Sequence, residues 1–278
     1  MKLATIRTSS GTRAVRIEED HLVDLGPADL GELLAREGWT TAAGAEGEHL
    51  PLAGADFAPV VTHPGKVICV GLNYRNHILE MGRELPEYPT LFTKYAESLT
   101  GAHDPIAKPA ETDEFDWEAE LAIVIGAPVR RARREQAEAA IAGFATLNDL
   151  TCRDWQYRSK QWLQGKAWEG VTPVGPYLVT PDELPGGVRP ELEISTVVDG
   201  ETMQKNNTSE LVFDPVHLVE YISTIITLGP GDLIATGTPG GVGHARKPPR
   251  YLAPGQHLVT EVAGLGRCEN DIVAGETA

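Results

Sequence analysis

The sequence predicts an α+β protein built mainly from short strands and hairpins, with few helices and a small N-terminal α/β appendage. Three observations carry this. The run Leu121-Ala122-Ile123-Val124-Ile125 is apolar, partly β-branched and stops at Gly126, the pattern of a buried strand. Two hairpin signals lie further on: Asp199-Gly200, a two-residue turn after Leu192–Val198, and Gly264-Leu265-Gly266 between His257–Ala263 and Arg267–Val273. Between Thr40 and Pro59 the chain is rich in Ala, Gly and charge without a period, so it reads as a linker around Pro51. This divides the chain into residues 1–60 and a main body, 61–278.

In order, residues 2–8 and 13–25 read as short strands, and Asp29 caps a helix through Leu30, Leu33 and Leu34 that ends near Gly38. Lys66–Tyr74 is a buried strand with a polar end, and Arg75–Met81 a helical turn on which His77 and Glu80 share a face at i, i+3. In that register the carboxylate can orient the imidazole and tune its charge. Glu84–Pro89 is expected to be a mobile loop and Thr90–Lys94 a strand. Arg130–Ala142 reads as an amphipathic surface helix with solvated arginines.

Arg153–Gln164 looks helical, with Arg153 and Gln156 on one face beside Asp149, and Lys166 falls in the loop Gln164–Gly170. Tyr177–Thr180 is a strand, and Gln204, Asn206, Asn207 and Thr208 form a polar bend. Asp214-Pro215 starts a helix with apolar positions at Val216, Val219, Ile222 and Ile226, ending at Gly229-Pro230-Gly231. Asp232–Gly243 is a strand running into a glycine-rich turn whose N–H groups, with the Thr238 hydroxyl, could hold an anion. The spacing fits neither a Walker loop nor a dinucleotide fingerprint.

The chemistry concentrates just before the buried strand. Side chains alternate along a strand, so Glu118 and Glu120 project from one face with Cβ atoms roughly 6 to 7 Å apart. An isolated E-x-E pair usually marks a solvent-facing strand end. Asp149, delivered by the apolar segment Ala145–Leu150, makes a third acid. Three oxygen ligands without an accompanying Cys or His pair suit Mg²⁺, Mn²⁺ or Ca²⁺ and not structural zinc.

Composition narrows the function. The 278 residues carry 40 acidic and 24 basic side chains, a net charge of −16 that argues against nucleic-acid binding. An anionic substrate would need local cations or a metal. Cys69, Cys152 and Cys268 are too few and too scattered for a disulfide framework. No signal-peptide pattern and no membrane span is apparent, so the expected location is the cytoplasm.

Taken together, the Gly-Leu-Asn-Tyr strand end with His77 and Glu80, the Trp-Glu-x-Glu-Leu strand, Asn148-Asp149 with Arg153-Asp154-Trp155-Gln156, Gly165-Lys166 and Thr236-Gly237-Thr238-Pro239 resemble the fumarylacetoacetate hydrolase family over about Lys66–Val273. The resemblance implies a mixed β-sandwich roll, a homodimer, and Mg²⁺ or Mn²⁺ (Ca²⁺ in vitro) on Glu118, Glu120 and Asp149. It further implies His77 and Glu80 as an acid/base dyad on a lid, Lys166 beside a developing oxyanion, and Arg75, Arg153, Gln156, Gly237 and Thr238 as contacts to a small anionic keto acid. One departure is Ala167-Trp168-Glu169 where many relatives carry Ser-Phe-Asp. The leading expectation is hydrolysis of a carbon–carbon bond in an acylpyruvate such as fumarylpyruvate. Oxaloacetate decarboxylation, 2-hydroxydiene-dioate isomerisation, and metal-dependent ligand binding without turnover are the alternatives.

Overall fold

In the computed structural model, which describes residues 1–80 and 84–276, the apolar run becomes the strand Ala119–Ile125, buried at every position. Its side chains alternate between two cores: Leu121, Ile123 and Ile125 enter one, Ala122 and Val124 the other. Each large aliphatic side chain buried in this way contributes about 1.5–3 kcal/mol. Coverage on both faces explains why the run is continuous in hydrophobicity rather than alternating with polar residues.

Ile141–Asn148 pairs antiparallel along one edge of this strand, with Ile123 opposite Phe144, and Leu233–Ala235 pairs along the other. They belong to a mixed twelve-stranded sheet. On one side it continues through Thr172–Val179 to Lys2–Thr8 and Gly11–Ile17; on the other it passes through Val67–Gly71 to Thr90–Lys94. A five-stranded sheet contains Glu193–Val198, Glu201–Asn207, His257–Val262 and Arg267–Ala274, edged by Ile106–Lys108. Ile194 and Val262 from this sheet share a core with Leu121, Ile123 and Phe144, together with Val216, Val219 and Ile222 of the helix Pro215–Ile225. Leu30, Leu33 and Leu34 cover the opposite face of the large sheet. The result is the expected α+β architecture of layered, mixed sheets with few helices.

Several local expectations hold. Asp29 accepts from the Glu32 N–H at 2.8 Å, and Asp214 caps the Pro215–Ile225 helix through the His217 N–H at 2.9 Å. Asp199 and Gly200 both adopt positive φ, 50° and 82°, as a two-residue hairpin turn of the primed type demands.

Others are corrected. The stretch 13–25 is two strands, Gly11–Ile17 and His21–Asp24. The supposed linker contains a helix, Trp39–Ala43, and the strands His49–Pro51 and Asp56–Phe57. Those strands form because distant partners, His21–Asp24 and Lys2–Thr8, supply the ladder, which no local pattern announces. Lys2–Thr8 itself pairs with Thr172–Val179, so the N-terminal segment extends the main sheet.

The arginine-rich helix covers only Arg134–Ala140, because Ile141 already belongs to the strand beside Ala119–Ile125. The Pro215–Ile225 helix stops before Ile226, which is exposed. Gln204 lies in the strand Glu201–Asn207 and not in a bend. The single helix expected over Arg153–Gln164 is two four-residue helices, Arg153–Gln156 and Leu163–Lys166. They pack so closely that a Cβ on Gly165 would lie 2.6 Å from the Gln156 Cα. Lys166 is therefore the buried last residue of a helix, not a loop residue. The three cysteines are free and buried. No helix among the described residues is long and apolar enough to cross a membrane.

Candidate active site

Two neighbouring strands deliver the acids. Glu118 and Glu120 sit at the start of Ala119–Ile125, and Asp149 directly follows Ile141–Asn148. The Asp149 N–H donates to the Glu118 carbonyl at 2.9 Å, and the Glu118 N–H donates to the Asn148 side chain at 2.8 Å. Strand pairing thus fixes the third acid relative to the first two. Glu118, Glu120 and Asp149 each offer an oxygen within 4.8 Å of the others, and all three are buried. They form the candidate metal-ligating group found among the described residues.

Cations surround two of these acids. Lys166 Nζ lies 2.6 Å from Glu118 Oε2 and 2.7 Å from Asp149 Oδ2. Lys94 Nζ lies 2.7 Å from Asp149 Oδ1, fully buried, and also donates to the Leu150 carbonyl at 3.3 Å. Arg153 reaches Glu118 Oε1 at 2.7 Å and Asp116 Oδ2 at 2.8 Å, and donates to Gln156 Oε1 at 2.9 Å. Glu120 instead receives the Gly237 N–H at 2.7 Å.

This asymmetry sets the electrostatics. Burial, reinforced by the charges of Asp149 and Glu118, pushes the Glu120 carboxyl well above its ordinary range. Burial would do the same to Asp149, but Lys166 and Lys94 outweigh it and hold that carboxyl below the usual value. Burial alone would lower Lys166, yet Asp149 and Glu118 raise it and keep the ammonium charged. Asp116, Glu118, Glu120 and Asp149 carry four potential negative charges against three positive ones on Lys94, Arg153 and Lys166. A hard divalent cation fits this donor set, because it matches the oxygen ligands and offsets the charge of Glu120, which has no ion-paired cation among the described residues.

The acids open onto a pocket of about 340 Å³ lined by Glu118, Glu120, Arg153, Gln156, Lys166 and Thr238, with Val70, Leu72, Phe92 and Trp162 as apolar wall. That volume is at the small end for ligand sites. The Lys166 ammonium also lies 5.1 Å from the Phe92 ring centre.

The structure brings most of the expected site residues together. Gly237 acts through its N–H on Glu120. Its φ is 101°, and a Cβ there would stand only 3.0 Å from Asn73 Cβ, so glycine is necessary at this position. Thr238 lines the pocket and accepts from Gln204 Nε2 at 2.8 Å. The glycine-rich turn expected to hold an anion does so, but the anions are the protein's own: Gly237 N–H holds Glu120 and Gly243 N–H holds Asp116. Arg75 is exposed at the start of the helix Arg75–Glu80 and lies outside the pocket wall. The side chains of His77 and Glu80 lie outside the described residues.

Sequence reading misses Asp116, Lys94, Phe92, Trp162 and His244. Asp116 extends the alternation of Glu118 and Glu120, and Phe92 and Lys94 share a parity on Thr90–Lys94, so both sets are visible as period-two patterns. Trp162 and His244 carry no such signal.

Comparison with known proteins agrees with this geometry. The family model for the C-terminal region of fumarylacetoacetate hydrolase matches residues 66–273. Mitochondrial oxaloacetate tautomerase Fahd2a of Rattus norvegicus is 42% identical over 225 residues, covering 81% of this chain and 71% of the relative. The solved fumarylacetoacetate hydrolase of Exiguobacterium antarcticum superposes with a TM-score of 0.87 at 34% identity, covering 99% of each chain. Maleylpyruvate hydrolase of Sphingobium sp., solved with manganese(II) and pyruvate, gives a TM-score of 0.80 at 28% identity, covering 99% of this chain and 100% of the other.

Proposed function

Because the chain belongs to the fumarylacetoacetate hydrolase family, we propose that it is a divalent-metal-dependent enzyme that interconverts the keto and enol forms of a small 2-oxo dicarboxylic acid of the oxaloacetate type. The observation that carries this reading is the buried Glu118/Glu120/Asp149 group opening onto a pocket of about 340 Å³ with Lys166 in its wall. The similarity to oxaloacetate tautomerases supports the choice of reaction.

Glu118, Glu120 and Asp149 would hold Mg²⁺ or Mn²⁺, which supplies Lewis-acid polarisation to the carboxylate and 2-oxo oxygens of the substrate. Arg153 and Gln156, bonded to each other and set in the wall, orient the substrate by its oxygens. Lys166 presents an ammonium to the oxygen on which enolate charge develops. Phe92, Trp162, Val70 and Leu72 keep water from the enolate and so protect its carbon from random protonation. His77, oriented by Glu80 on the spacing in the sequence, exchanges the proton at C3, a step worth typically about 10²- to 10⁴-fold.

A second reading, hydrolysis of an acylpyruvate, is favoured by the likeness to maleylpyruvate hydrolase, whose structure holds manganese(II) and pyruvate. It uses the same enolate as leaving group and adds a water for His77 to activate. One experiment separates them. Mn²⁺-loaded enzyme is mixed with the enol form of oxaloacetate and, separately, with acylpyruvates. Faster loss of enol absorbance without carbon dioxide or pyruvate supports tautomerisation, and pyruvate release from an acylpyruvate supports hydrolysis. Carbon dioxide release would instead point to decarboxylation, and silence on every substrate would sink both readings.

A further inference from the structure

All four carboxylate oxygens of Glu118 and Asp149 already carry a cation. Arg153 is on Glu118 Oε1, Lys94 on Asp149 Oδ1, and Lys166 on both remaining oxygens, Glu118 Oε2 and Asp149 Oδ2. A divalent ion held by these residues must share or take over oxygens that already bear positive charge, and two cations crowded on one oxygen repel each other. The three resident cations are not equally replaceable. Arg153 is anchored independently by Asp116 and Gln156. Lys94 is sealed from solvent at the end of a paired strand and has a second acceptor in the Leu150 carbonyl. Lys166 has only triad oxygens as hydrogen-bond partners among the described residues, sits on a four-residue helix, and borders the pocket.

We propose that Lys166 is a resident, displaceable cation of the acidic triad: its ammonium yields Glu118 Oε2 and Asp149 Oδ2 when a divalent ion is loaded and moves into the pocket as a free donor, while Lys94 keeps hold of Asp149 Oδ1. This rests on the metal-site reading above and deepens it. Loading the ion and delivering the ammonium to the substrate's developing oxyanion become one event. The metal-free enzyme keeps its acids neutralised and its lysine out of use.

The test is calorimetric titration of the full chain with Mn²⁺ alone, at one fixed pH, for the wild type, Lys166→Met and Lys94→Met. The two lysines stand equally close to Asp149, at 2.7 Å each, but Lys166 also lies 2.6 Å from Glu118, so charge alone favours tighter binding on its removal and the titration is read together with the Mn²⁺-loaded structure. Displacement predicts that Lys166→Met binds Mn²⁺ at least about 10-fold more tightly than Lys94→Met, because the two charge-assisted hydrogen bonds from Lys166 to Glu118 and Asp149 no longer compete. Equal tightening, or weaker binding by Lys166→Met, overturns the proposal. Failure of the wild type to bind Mn²⁺ overturns the metal-site reading and this inference with it. The crystal structure of the Mn²⁺-loaded wild type then separates displacement from charge alone, and decides by itself if a variant does not fold. Lys166 Nζ beyond hydrogen-bond reach of both acids supports displacement, and Lys166 Nζ still on both refutes it.

Discussion

The Arg153 guanidinium meets the Asp116 carboxylate at 2.8 Å with both side chains buried, and the same carboxylate takes the N–H groups of Trp117, Gly243 and His244. One acid therefore ties the loop that carries Val242 and His244, both in the pocket wall, to the arginine that reaches Glu118. Asp116 touches no pocket space itself, yet it sets where two sides of the pocket stand.

Asp116→Ala leaves that guanidinium half-paired and three N–H groups without an acceptor. Breaking a buried pair by removing one partner costs about 3–5 kcal/mol. Urea unfolding should show a loss of that size, and turnover should fall as Arg153 and the His244 loop shift. Asp116→Asn keeps one carbonyl acceptor and should lose less on both counts. A loss below about 1 kcal/mol for the alanine variant would mean the loop is held elsewhere.

Glu120 stands the other way round. It is buried beside Asp149 and Glu118, with the Gly237 N–H as its hydrogen-bond donor and no ion-paired cation among the described residues. Glu120→Gln keeps the shape and removes the repulsion, so the metal-free protein should gain roughly 1 kcal/mol in thermal unfolding while Mn²⁺ affinity collapses. Stabilisation with loss of binding is the signature of an acid kept for a ligand; a destabilised variant would assign Glu120 to the fold instead.

Gly71 bears directly on pocket size. A Cβ there would lie 2.3 Å from the Trp162 ring, and both residues line the pocket. Gly71→Ala must push the indole aside at a cost of about 1–3 kcal/mol for overpacking. KM for the substrate should rise with it. An unchanged KM would show that Trp162 borders the pocket without touching substrate.

These residues also mark how far the sequence alone can be read. Glu118, Glu120 and Asp149 are legible because strand parity and a following apolar segment are local patterns, and the caps at Asp29 and Asp214 are legible for the same reason. Gly165 looks like a breaker and so suggests a loop for Lys166, when its missing Cβ is what lets two short helices touch. The strands His49–Pro51 and Asp56–Phe57 escape sequence reading because only distant partners define them. Lys94 looks like any strand-end lysine, since nothing local says that an acid 55 residues away will meet it.

The N-terminal strand offers a test by pH. Arg7, on Lys2–Thr8, holds Asp104 at 2.6 Å and Asp56 at 2.7 Å, while Thr100 and the Gly101 N–H also donate to Asp104. Burial pushes the Asp104 carboxyl up, but these bonds, Arg7 first, hold it below the ordinary value. A carboxyl whose folded pKa is depressed contributes stability above its unfolded pKa of about 4 and loses it as pH falls through the lower folded value. Asp104→Asn should therefore be less stable than the wild type at pH 7, by about 1 kcal/mol given that Arg7 is partly exposed and screened. The gap should close as the pH drops below about 4, where the wild-type carboxyl gains its proton too. Thermal unfolding of the two proteins between neutral and acid pH checks this, and a gap that stays constant would mean that the asparagine disturbs packing rather than charge.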